Sequence, residues 1–152
     1  MPRINVDLQD VPSGSIILPE NLLYLGEVAD AELRSTEKGQ YINVEIEIKR
    51  SSGTNPEEWA GEILYDVLPL PGVAISTDDR RTAKRKLRRG IRLKEFLEKA
   101  GARWEPSGFE TEDLIGLNAW FNVTTDEYQG RKRSRPNRYF GNQAEAAEAL
   151  AE

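Results

Sequence analysis

The chain has 152 residues, no cysteine and no histidine, 38% hydrophobic and 31% charged residues, and a formal net charge of −5. Without Cys there is no disulfide and no thiolate metal site. Without His, the commonest general base and the commonest transition-metal ligand are absent. No apolar run approaches the roughly 20 residues of a membrane-spanning helix, and the opening MPRINVDLQD lacks the apolar stretch of a secretory signal. A cytoplasmic protein is expected, with no cofactor and no membrane partner.

The modest net charge hides strong segregation. Arg80 to Lys94 carries nine Lys or Arg and no acid, and Arg131 to Arg138 carries five more. These 14 belong to a total of 21 basic residues, so the rest of the chain holds 7 basic against 26 acidic residues, a net −19. Phosphates are felt within about one Debye length, roughly 8–10 Å at physiological salt, so local clustering outweighs the acidic average.

In chain order, residues 1–20 contain Pro2, Pro12, Pro19 and Ser13-Gly14-Ser15 and read as an extended lead-in. A single domain is expected over 21–140. Leu22 to Arg34 reads as a first strand, bulged at Gly26. After a Lys38-Gly39 turn, Tyr41 to Lys49 alternates cleanly, with Ile42, Val44, Ile46 and Ile48 on one face and Tyr41, Asn43, Glu45 and Glu47 on the other. The two strands make an antiparallel hairpin. Trp59 to Leu68 is a third strand, stopped by Pro69-Leu70-Pro71-Gly72.

Asp78 to Gly101 is the helical region. Leu93, Phe96, Leu97 and Ala100 have the spacing of one apolar helical stripe, Asp78 and Asp79 are capping groups, and Gly101 is a stop signal. Gly90 leaves two versions open: one long helix, or a basic arm leading into a short one. Thr111 to Ile115 is a capped turn closed by Gly116. Leu117 to Thr125 is a fourth strand that points Leu117, Ala119, Phe121 and Val123 one way and Trp120 the other. Arg131 to Phe140 pairs back as a fifth, with Pro136 suited to an edge. Residues 141–152 are Ala/Glu-rich and read as a flexible tail with no face to bury.

Three strands, one helix and two strands is the element order of a mainly β, five-stranded OB-fold-like Greek-key barrel. Its chemistry points to binding. Asp66, Asp78 and Asp79 are the carboxylates considered for a metal cluster, but two of them serve as helix-start residues, so no metal site and no catalytic residue is assigned. Single strands are held by a basic groove and by aromatic faces on which bases stack. The basic candidates are Arg80, Arg81, Lys84, Arg85, Arg88, Arg89 and Arg92 from the first run and Arg131, Lys132, Arg133, Arg135 and Arg138 from the second. Tyr41, Trp59, Trp120, Tyr128 and Tyr139 are the stacking candidates. Glu45 and Glu47, on the face of Tyr41, oppose phosphate binding there.

The pieces INVDLQDVPSG, LPE, AELRSTEKGQYINVEIEI, LKEFLEKAG, EDLIGLNAW and TTDEYQGRKRSRPNRYF occur in an order that resembles a family of bacteriophage-encoded proteins related to single-stranded DNA-binding proteins. They span most of residues 4 to 140; the basic run before the helix has no counterpart in the pattern. The resemblance implies an OB-type barrel and a role in phage replication or recombination, in the host cytoplasm, alongside replication or recombination proteins. The expected function is non-catalytic, sequence-tolerant binding of single-stranded DNA. The alternative is a phage interaction or structural protein whose basic segments bind an acidic protein partner. Whether the chain self-associates is left open.

Overall fold

A computed structural model describes residues 3–5, 17–37, 39–72, 75–102, 108–128 and 130–151. The strands are β1 (Tyr24–Thr36), β2 (Gly39–Ser51), β3 (Ile63–Pro69), β4 (Asn118–Tyr128) and β5 (Arg131–Phe140). The helices are α1 (Arg80–Arg88), α2 (Ile91–Lys99) and α3 (Gln143–Ala151), with a 3-10 turn at Thr111–Leu114. The central strand follows its sequence closely. The branched residues Ile42, Val44, Ile46 and Ile48 of β2 are all buried, while Tyr41, Asn43, Glu45 and Glu47 lie on the outer face.

The sheet is five-stranded and antiparallel, in the order β3-β2-β1-β4-β5. Its middle strand, β1, pairs with β2 along its whole length and with β4 only over Tyr24 to Glu27. A bulge falls between Leu25 and Gly26, where the sequence placed it. Gly26 is required there by space: an added Cβ would stand 2.4 Å from Ile46 Cγ2 and 2.6 Å from Phe121 Cε1. The inward residues of β2 share one core with Ala119, Phe121 and Val123 of β4 and with Leu93, Phe96 and Leu97 of α2.

The sheet is not closed into a barrel. Among the described residues no backbone ladder joins β3 to β5, so both are edge strands, and Pro136 sits on one of them. A seam of side chains spans the gap instead.

In place of the single helix expected between the third and fourth strands, the chain makes two helices, and the expected capped turn follows as the 3-10 turn at Thr111–Leu114. Asp79 caps α1 by accepting from the Thr82 N–H at 2.7 Å. The break falls at Arg89-Gly90, where the chain presses on Pro71, and a Cβ at Gly90 would lie 2.9 Å from the Pro71 ring. No residue of α1 is buried, whereas α2 buries Leu93, Phe96 and Leu97. Gly101, at φ +71°, ends α2 as its position predicts.

The segment after Phe140 corrects the expectation of a tail with no buried face. It forms α3, and Ala146 is fully enclosed in a second small core with Leu23, Trp120 and Phe140. Lys99 at the end of α2 pairs with Glu145, and this bond holds the Glu145 carboxyl below its ordinary range.

Candidate nucleic-acid interface

Local sequence builds the seam first. Alternation in β3 turns Leu64, Asp66 and Leu68 inward and Ile63, Tyr65 and Val67 outward. Asp66 is therefore a carboxylate carried into the core, which demands partners. It accepts from the Tyr139 hydroxyl at 2.5 Å, from Arg92 Nη2 at 2.6 Å and from the Val67 N–H at 2.9 Å. Arg92 also donates to the carbonyls of Pro136 at 2.8 Å and Asn137 at 2.9 Å, and its guanidinium stands 5.5 Å over the Tyr139 ring. One arginine of α2 thus fastens both edge strands. Burial, followed by the neighbouring Asp66 charge, pushes the Tyr139 phenol well above its ordinary pKa.

Over this seam opens a groove of about 460 Å³. Its walls carry five arginines: Arg88, Arg89 and Arg92 from the helical region, and Arg133 and Arg135 from β5. The two basic runs, far apart in sequence, meet here. Tyr65, Val67 and Ile91 supply apolar surface and are 55%, 46% and 51% exposed. Asp66 and Glu95 are the acids of the lining. Asp126 in β4 holds Arg133 at 3.0 Å and Arg135 at 2.7 Å. Glu45 accepts a hydrogen bond from Tyr65 and so raises its phenol pKa.

The remaining candidates fall elsewhere. Arg80, Arg81, Lys84 and Arg85 are exposed on α1. Lys132 and Arg138 are exposed on β5, with Arg138 lying 5.2 Å over the Phe140 ring. The Arg131 and Tyr128 side chains lie outside the described residues, as does Trp104. Tyr41 is half-buried on the outer face of β2.

Two aromatic candidates are corrected, Trp120 and Tyr139. Trp120 is 7% exposed because Leu23, Phe140 and Ala146 cover it, with the Arg50 guanidinium 5.4 Å from its ring. Tyr139 is 5% exposed and faces Phe96 and Phe121 in the main core. Trp59 is half-buried and packs against the same core. Trp120 and Tyr139 present no free face to a base. Arg92 is corrected in part: it borders the groove, but both of its terminal nitrogens bond within the seam.

Sequence reasoning missed Tyr65. The available signal was Asp66: a carboxylate between two leucines at alternate positions, Leu64 and Leu68, fixes the pleat and sends Tyr65 outward. Asp66, Asp78 and Asp79 do not act together. Asp78 is held by Lys86 at 2.6 Å and the Ile75 N–H at 2.9 Å, Asp79 caps α1, and Asp66 is the hub of the seam. No family model matches the chain, and no curated protein matches it.

Proposed function

We propose that the protein is a non-catalytic, sequence-tolerant single-stranded DNA-binding module and that the groove over β3 and β5 is its site. The observation that carries this reading is the exposed Tyr65, which lines one groove together with Val67, Ile91 and five arginines drawn from both basic runs. A base stacked on such a ring gains about 1–3 kcal/mol without regard to sequence. Arginines meet the phosphates that connect successive bases and carry no sequence information. The order β3-β2-β1-β4-β5, with β1 shared by both halves, supports an OB-type Greek-key arrangement. The ordered resemblance to phage single-strand-binding relatives supports a role in phage replication or recombination, in the host cytoplasm and beside other replication or recombination proteins.

A second reading is favoured by one observation. Ile63, Tyr65 and Val67 form an exposed row on an edge strand beside the basic segments, the kind of surface by which an interaction or structural protein would hold an acidic partner against those segments. Titration of a fluorescent, unstructured oligonucleotide from low to physiological salt separates the two. With about five phosphates engaged, log K should fall against log salt with a slope near −3 to −4. Duplex should bind more weakly, because its bases are already stacked. Absence of oligonucleotide binding at low salt refutes the single-strand reading and leaves the protein partner.

A further inference from the structure

Resting on the groove as a single-strand site, we infer that the bound strand continues out of it along α1, whose outward face is a phosphate track. Arg81, Lys84, Arg85 and Arg88 stand at i, i+3, i+4 and i+7, one stripe of the helix. They frame a second depression of about 330 Å³, and Arg88 borders both it and the groove. The two positive surfaces are therefore continuous.

Among the described residues, no carboxylate forms an ion pair with any of the four cations of this stripe. The two acids at the head of α1 are occupied, Asp78 by Lys86 and Asp79 by the Thr82 N–H. Arg81–Arg85 and Lys84–Arg88 repel at i, i+4, and Arg80 and Arg81 oppose the positive end of the helix dipole. With no buried residue to offset these repulsions, α1 is stabilised by whatever lays regularly spaced negative charge along it. A nucleic-acid backbone does so. The stripe from Arg81 to Arg88 is about 10 Å long at roughly 1.5 Å per residue. That matches about three phosphates of a stacked strand at roughly 3.4 Å each, and about two where the strand is extended.

The test is the length dependence of oligothymidylate binding for wild type and for the triple variant Arg81→Gln, Lys84→Gln, Arg85→Gln, which leaves Arg88 to the groove. Oligonucleotides just long enough to fill the groove should bind both proteins alike, which also shows that the variant is folded. Wild type should go on gaining affinity over about two to three further nucleotides while the variant has stopped, and on long oligonucleotides the variant's salt slope should be shallower by about 1.5–2. Arg81→Lys with Arg85→Lys should restore the longer footprint. An unchanged length dependence, or a loss equal at every length, overturns the track and leaves the groove standing. Wild type binding no length at all sinks the groove reading, and the track with it.

Discussion

Tyr139→Phe removes one oxygen from the seam and little else. The ring keeps its edge contact with Phe96 at 5.0 Å, its tilted contact with Phe121 at 6.1 Å and its place beneath Arg92. What is lost is the 2.5 Å hydrogen bond to a carboxylate that is 5% exposed. A hydrogen bond to a buried charge contributes about 1.5–3 kcal/mol. Arg92 and the Val67 N–H remain on Asp66, so the charge is not stranded and the upper end of that range is not reached. We expect a loss near 2 kcal/mol in urea unfolding at neutral pH, with an unchanged m-value. A cycle with Asp66→Asn should show coupling of about 1 kcal/mol or more, because the two residues touch. A loss under about 0.5 kcal/mol, or additivity in the cycle, would refute the claim that this bond joins the edge strands.

Tyr65→Ala should weaken single-strand binding by about 1–3 kcal/mol with stability unchanged, as measured by titration and thermal melting. Trp120→Ala should do the reverse, since truncating a buried aromatic costs about 3–5 kcal/mol; loss of binding without loss of stability would return Trp120 to the site. Asp126→Asn removes the carboxylate that pairs with Arg133 and Arg135. Exposed ion pairs are worth about 0.2–1 kcal/mol each, so losing both should raise oligonucleotide affinity by about twofold to thirtyfold, and a fall would argue that Asp126 positions them. Asp78 and Asp79 have folded pKa values lowered from 3.8, Asp78 chiefly by Lys86 and Asp79 chiefly by the Thr82 N–H. Their contribution to α1 is present above pH 3.8 and is lost as pH falls through the lower folded values. The Thr82 amide resonance should therefore titrate with a midpoint below 3.8, and a midpoint above it would contradict the cap.

Elements whose signals are local were legible in the sequence. β2 was set by alternation, the core side of α2 by helical spacing, its end by Gly101 and the β1 bulge by Gly26. The misreadings are all of tertiary origin. Trp120 lies on the outer face of β4, and Leu23, Phe140 and the α3 residue Ala146 cover it there. An Ala/Glu-rich helix that docks through Ala146 leaves no apolar stripe to find. Tyr139 follows a bulge opposite Asn122 and Val123, which resets the pleat and carries the ring inward. Arg92 looked like its basic neighbours, and only the fold supplies Asp66 beneath it. Clustering placed most of the groove's cations correctly by type, but which of them share one surface depends on β3 and β5 coming side by side.

The docking of α3 has a practical consequence for anyone who alters the chain after Phe140. Shortening it, or replacing it with an affinity tag, uncovers an indole and a phenyl ring together, a sticky spot that invites aggregation. The same cover makes Trp120 a built-in lamp: its emission should shift to the red when water reaches the ring, reporting without any added label whether the end of the chain is seated.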